Sequence, residues 1–155
     1  FATTGGCTYT SDGITWTART LPVSTGRSVT FGAGLFVVAG ETEKYATSPD
    51  GVAWTTRNTP YNGSLTTITY GNGVFFAVGG GVTNLSLTSN DGKLWTARPS
   101  SSAGLFNCAY GAGRFIAYVS QNALGDAAMV AYAENSTDSD YLYLAGSAGQ
   151  FIRVK

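Results

Sequence analysis

The stretch "SPDGVAWTTR", Ser48–Arg57, decides the fold, because the chain says nearly the same thing twice more: "TSDGITWTAR", Thr10–Arg19, and "SNDGKLWTAR", Ser89–Arg98. Each copy sets Asp-Gly ahead of a Trp, with an Arg three residues beyond it. The aspartates Asp12, Asp50 and Asp91 lie 38 and 41 residues apart. A second phrase recurs between them, as "VTFGAGLFVVAG" from Val29, "ITYGNGVFFAVGG" from Ile68 and "CAYGAGRFIAYV" from Cys108, at intervals of 39 and 40. A period near 40 with strand-like content is the signature of propeller blades.

One unit reads as four strands. The first is Val29 to Phe31, turned back by Gly32-Ala33-Gly34 into a second, Leu35 to Ala39. A variable loop from Gly40 to Lys44 leads to the third, Tyr45 to Ser48, and Asp50-Gly51 turns into the fourth, Val52 to Arg57. These runs are short and rich in Val, Phe, Tyr and Thr, and Asp-Gly and Asn-Gly are strong hairpin signals because Gly accepts positive φ. Pro22 and Pro60 follow fourth strands and suit connections that leave the sheet.

The ends complete the pattern. "FATTGGCTYTSDG" aligns with "FVVAGETEKYATSPDG" when Phe1 matches Phe36, so the chain opens on the second strand of a blade. "AENSTDSDYLYLAG" is a decayed fourth copy of the Asp phrase, and the tail "GQFIRVK" is one more first-type strand. The expectation is therefore an all-β protein, a β-propeller of four-stranded antiparallel blades. It has four blades, the first completed by the C-terminal strand. Residues 1–155 form one domain, with blade units at about 1–19 plus 149–155, 27–57, 65–98 and 105–145. Closure of this kind leaves no unpaired edge; donation of the last strand to a neighbour would instead link chains. Phe1 in place of Met fits a mature form, an excised fragment or an incomplete chain.

The Asp phrase resembles the Asp-box, or BNR repeat, of sialidases and related β-propellers, which runs Ser/Thr-x-Asp-x-Gly-x-Thr-Trp/Phe. The match covers Thr10, Asp12, Gly13, Thr15 and Trp16; Ser48, Asp50, Gly51 and Trp54; and Ser89, Asp91, Gly92 and Trp95. Here Gly follows Asp directly, one residue short of that pattern. The shortened form, with "YGNGVFFAVG", looks like repeats of bacteriophage tail-fibre, virion and bacterial surface proteins. The resemblance implies that these turns lie at the blade periphery, away from any central site. The residue chemistry agrees: Asp and Ser/Thr side chains bond nearby backbone and fix a turn. Trp would lie across the blade and bury a large area. Arg19, Arg57 and Arg98 would share one role in each blade, by stacking on an aromatic ring or pairing with a neighbouring blade.

Composition narrows the function classes. Charged residues are only 12% of the chain, hydrophobic residues are 43%, and Gly numbers 21. Nine acidic and nine basic residues cancel, with no basic run. Nucleic-acid binding and a polybasic membrane-surface role are therefore disfavoured. No apolar run approaches the roughly 18 residues of a membrane span, and no signal peptide is visible. Two cysteines, Cys7 and Cys108, make no disulfide framework, and spacing does not decide whether they pair. Low charge and abundant Ser and Thr fit an extracellular or virion surface.

Enzymatic chemistry finds few candidates. The sequence has no His, which removes His-based acid–base work and His-ligated metal sites. Glu41, Glu43 and Glu134 nominate no converging carboxylate pair of the kind glycoside hydrolysis needs. Sialidase resemblance implies an arginine cluster, for which Arg27, Arg114 and Arg153 are the remaining candidates. The reading is a non-enzymatic adhesion or structural module with no catalytic residue, metal or cofactor. Its partners would be other copies of itself, other virion or surface proteins, or cell-surface glycans, with no nucleic acid and no membrane insertion. The alternatives are a free-standing multivalent lectin and a degenerate sialidase-like glycosidase. Propellers place binding in loops that differ between blades. Tyr61, Asn62, Asn84, Gln121, Asn122 and Asp126 carry the aromatic, amide and carboxylate chemistry of sugar contacts in such loops.

Overall fold

The computed structural model describes residues 5–60, 62–79, 85–99, 105–119, 130–134, 142–145 and 151–154. All of its regular structure is β. The first pair is β1 (Gly5–Tyr9) and β2 (Thr17–Leu21), an antiparallel hairpin. β3 (Gly26–Gly32), β4 (Leu35–Gly40), β5 (Lys44–Ser48) and β6 (Thr55–Asn58) form a four-stranded antiparallel sheet in chain order. β7 (Thr67–Gly71), β8 (Val74–Val78), β9 (Leu85–Ser89) and β10 (Thr96–Pro99) repeat it. β11 (Leu105–Gly111), β12 (Arg114–Val119), β13 (Val130–Glu134), β14 (Leu142–Ala145) and β15 (Phe151–Val154) make a five-stranded variant.

The strands fall where the repeat puts them, with two differences. The fourth strand opens at Thr55 rather than Val52, because the N–H groups of Val52 and Ala53 donate to Asp50 and are not free for the ladder. β15 pairs with β14, Leu142↔Val154 through Ala145↔Phe151, rather than with the first blade. A near strand reached by a short connection costs less loop closure than one across the molecule. Of the decayed fourth Asp phrase, residues 135–141 lie outside the described residues, while its ends fall on β13 and β14.

Each inner hairpin is closed by a two-residue turn with both central residues at positive φ. Ala33 and Gly34 take 46° and 72°, Asn72 and Gly73 take 48° and 77°, and Ala112 and Gly113 take 50° and 78°. That primed geometry matches the right-handed twist of paired strands. Asn-Gly is its preferred pair, whereas alanine at positive φ is strained by about 1–2 kcal/mol.

The sheets stack through their inner strands, β3 beside β7 and β7 beside β11. Val37, Ala39 and Tyr45 of one sheet pack with Ile68, Phe75, Leu87 and Trp95 of the next. Phe76 and Val78 pack in turn with Leu105, Cys108 and Ala117. Leu21 and Val23 join Val38 and Ala46 to seat the first hairpin. Hydroxyls strap the inner strands together: Ser28 Oγ accepts from the Ile68 N–H, and Thr66 and Thr67 Oγ1 donate to the Phe106 carbonyl at 2.7 and 3.1 Å.

Candidate functional site

The repeated phrase builds the same cage three times. Asp50 Oδ1 accepts the N–H groups of Val52 and Ala53 at 2.8 and 2.9 Å and the Ser48 hydroxyl at 2.9 Å. Ser48 Oγ accepts the Gly51 N–H at 2.9 Å. Asp12 does the same with Ile14, Thr15 and the Thr10 hydroxyl, each at 2.8 Å. Asp91 takes Lys93 and Leu94 at 2.8 Å and the Ser89 hydroxyl at 3.0 Å. Gly13, Gly51 and Gly92 sit at φ of 73°, 73° and 67°, where a side chain is strained. The N–H donors hold all three carboxyls below their usual range, led by Ile14 for Asp12, Ala53 for Asp50 and Leu94 for Asp91. A carboxylate held ionised by its own turn is a poor general acid.

The tryptophans diverge. Trp95 is 9% exposed, set edge-on to Tyr45 at 5.8 Å, while Trp54 is half-buried and donates Nε1–H to the Gly51 carbonyl at 3.1 Å. Trp16 is 60% exposed, contrary to the expectation that each Trp is buried across its blade. Trp95 packs on Tyr45 and Trp54 joins Leu21 and Val23, each on the sheet or hairpin before its own; Trp16 belongs to the first hairpin.

The recurrent arginines brace the outer hairpins. Arg57 Nε donates to Thr47 Oγ1 at 2.9 Å and Arg98 Nε to Thr88 Oγ1 at 3.2 Å, both across the hairpin. In the first copy Tyr9 stands in the threonine's place, and the Arg19 guanidinium lies 5.4 Å from its ring centroid. Stacking and pairing thus both occur, but within a blade.

Of the three arginine candidates, Arg27 and Arg114 stand at opposite ends of their inner hairpins, and Arg153 lies on β15 opposite Tyr143. Arg27, at the start of β3, forms an ion pair with Glu41. Arg114 stands at the β11–β12 turn, the opposite end of its hairpin. Among the described residues no group of three His, Cys, Asp or Glu could hold a metal ion. Both cysteines are free; Cys108 is buried beside Phe76, and burial pushes its thiol up to about 12.

Of the loop candidates, Asn62 is exposed in the β6–β7 connection. Tyr61, Asn84, Gln121, Asn122 and Asp126 lie outside the described residues. The hydroxyl straps of Ser28, Thr66 and Thr67 were not singled out from sequence. Their signal was Ser or Thr just before Val29 and Ile68 in the inner-strand phrase.

No family model and no curated protein matches the chain. Among solved structures it is similar to YCF48 bound to D1 peptide, with a TM-score of 0.57 and 18% identity, over 92% of this chain and 54% of that one. It thus spans about half the length of that neighbour. A Bombyx mori GH32 β-fructofuranosidase, a mutant in complex with sucrose, gives 0.39 at 10% identity over 84% and 35% of the two chains, too low to bear on the fold. The four-stranded antiparallel sheets and the first of these likenesses support a β-propeller arrangement of blades.

Proposed function

We propose that this chain is a non-enzymatic β-propeller module for attachment or assembly, of the kind carried by phage tails, virion surfaces and bacterial surface proteins. It would act outside the cell or on the virion, with glycans, surface proteins or its own copies as partners. One observation carries the reading: the acidic groups of the repeat bond their own turns and its arginines brace their own blades. The repeated chemistry is consumed as scaffold, so recognition falls to the loops that differ. Those loops hold Tyr61, Asn62, Asn84, Gln121, Asn122 and Asp126. The peptide on YCF48 adds a peptide to the ligand classes worth trying. The lectin alternative differs in having one weak sugar site per blade, summed by multivalency.

The test is an array of immobilised glycans read beside a fluorogenic sialoside assay. Glycan retention that Asn62→Ala and Gln121→Ala weaken, without turnover, is the expected result. Turnover abolished by Arg27→Ala would establish the degenerate glycosidase instead.

A further inference from the structure

We propose that the starts of the inner strands bind one neutral oligosaccharide, gripped by Arg27 and Glu41 and stacked on Phe106. This rests on the glycan reading above and gives it a ligand class and a place within the frame of the repeat.

Each inner strand begins with one residue too many. In β3 the register steps from Gly26↔Gly40 to Ser28↔Ala39 and leaves Arg27 unmatched. In β11 it steps from Leu105↔Val119 to Asn107↔Tyr118 and leaves Phe106 unmatched. In β7 Thr67 partners Val78, and the Thr66 N–H donates to the same Val78 carbonyl at 2.9 Å. Arg27, Thr66 and Phe106 stand two residues before Val29, Ile68 and Cys108, so they are counterparts in the repeat. A bulge re-aims a side chain, and bulges are over-represented beside active sites. The cages and hairpin turns are alike from copy to copy. These three positions share a backbone device and differ in chemistry: a cation, a hydroxyl and an aromatic ring.

They are also joined by hydrogen bonds. Thr66 Oγ1 donates to the Phe106 carbonyl at 2.7 Å. The Leu65 N–H donates to the Gly40 carbonyl at 3.2 Å, and the Thr42 N–H to Ser64 Oγ at 3.4 Å. Residues 64–66 therefore run between the loop of Glu41 and Phe106. Glu41 in turn pairs with Arg27 and accepts the Thr25 hydroxyl at 3.2 Å.

That loop is held more firmly than stability explains. Thr42 sits at a φ of 62°, which a β-branched residue rarely adopts, and its hydroxyl donates to the Glu41 carbonyl. The Glu41 N–H donates to the Thr25 carbonyl at 3.2 Å, and the Thr59 N–H to the Glu43 carbonyl at 2.7 Å, which ties the loop to both flanking connections. Strained backbone costs free energy, and a part-exposed ion pair contributes little. What the arrangement secures is position: a carboxylate fixed beside a guanidinium, their side chains 38% and 39% exposed.

The pair selects its ligand by chemistry. A guanidinium only donates and a carboxylate only accepts. Two hydroxyls on adjacent carbons of a sugar ring can meet both at once, one accepting from Arg27 and the other donating to Glu41. A neutral ligand does this without breaking the ion pair, whereas an acidic one must compete with Glu41 for Arg27. Phe106, 50% exposed, supplies the apolar face on which the C–H side of a pyranose ring stacks. The Thr66 bulge between them leads from one sugar unit to the next.

The experiment is titration of the isotope-labelled full chain with lactose, maltose and cellobiose, and with digalacturonic acid beside them, read from amide NMR shifts. The signals of Arg27, Glu41, Thr42, Thr66 and Phe106 should move together with a neutral disaccharide. Digalacturonic acid should bind at least about tenfold more weakly, because its carboxylates meet Glu41. Phe106→Ala and Glu41→Gln should each weaken the neutral sugar at least about tenfold, as loss of an aromatic anchor or a charge-assisted hydrogen bond does. Both positions are at least part-exposed, so melting temperatures should stay near wild type and separate lost binding from lost fold. Shifts confined to other residues, no shifts with any of the three sugars, or tighter binding of the acid overturns the inference. Glycan retention on the array that both variants leave intact also overturns it, while keeping the attachment reading. Turnover in the sialoside assay would remove that reading itself, so the two fail separately.

Discussion

The first hairpin and the β7–β10 sheet carry the same phrase and the same cage, yet their tryptophans end 60% and 9% exposed. The cage hydrogen bonds differ by no more than 0.2 Å between the copies. Turn chemistry is therefore local and indifferent to its surroundings. Burial is supplied by the neighbouring blade: Tyr45 reaches across to Trp95 and donates its hydroxyl hydrogen to the Lys93 carbonyl at 2.9 Å. The glycines grade in the same direction. A Cβ on Gly13 would meet nothing, one on Gly51 would meet Phe36 at 3.7 Å, and one on Gly92 would meet Val37 at 3.0 Å. A repeat can be uniform in sequence and in turn geometry while its energetic weight rises from one end to the middle.

The largest effect expected from this contrast is at the tryptophans. Trp95→Ala should cost about 3–5 kcal/mol, as large aromatic truncations in cores do. Trp16→Ala should stay within about 0.5 kcal/mol, as exposed substitutions do. Urea unfolding of both decides it, and equal costs would mean that Trp16 is covered in solution. Next come the glycines under the rings. Gly71→Ala drives a Cβ into the Tyr110 ring and should cost about 1–3 kcal/mol, while Gly111→Ala meets nothing in the single chain. A large cost at Gly111 by the same measurement would reveal an occupied face.

The column Val29, Ile68 and Cys108 sharpens the comparison through pH. Val29 is exposed and the other two are buried. Cys108 has its folded pKa raised to about 12, against about 8.5 in an unfolded chain. Between those values the unfolded state binds fewer protons, so stability is complete below about pH 8.5 and falls as pH rises. The slope should approach about 1.4 kcal/mol per pH unit. Tyr45, raised by burial, adds in the same direction at higher pH. Cys108→Ala should remove the earlier part of the decline, and a thiol reagent should label Cys108 only as the chain unfolds.

Much of this was legible in the sequence because the repeat is periodic. Gly-x-Gly and Asp-Gly fix turns by backbone conformation, and strands between fixed turns have little choice of register. What escaped was whatever depends on a neighbour. Trp16 reads like Trp95, and nothing within its own phrase says that it is left 60% exposed while Trp95 is covered by Tyr45. β15 reads as an inner strand, and its pairing with β14 is a choice among edges that its own residues do not settle. Of the proposed loop site only Asn62 falls among the described residues, and the sequence offers no repeat from which the differing loops could be read.

The smallest expected effect tests whether the cages are as independent as their geometry implies. All three carboxyls have folded pKa values below the unfolded value of about 3.9. The unfolded state then binds more protons in acid. The stability they lend is fully present above about pH 4 and drains away as pH falls through the folded values. These are exposed turns, so solvent screens the effect and the melting temperature should fall by only a few degrees per cage. Thermal melts from pH 6 to pH 2 on Asp12→Asn, Asp50→Asn and Asp91→Asn would measure the three separately. If each cage acts alone, each variant flattens the acid limb by a similar amount and the triple variant gives their sum. If burial feeds back on the turn, Asp91→Asn exceeds Asp12→Asn, because the Gly92 turn is packed on Val37 while the Gly13 turn touches nothing. Additivity would leave the gradient between the hairpin and the middle sheet wholly to the aromatic contacts, and its failure would place part of that gradient in the turns themselves.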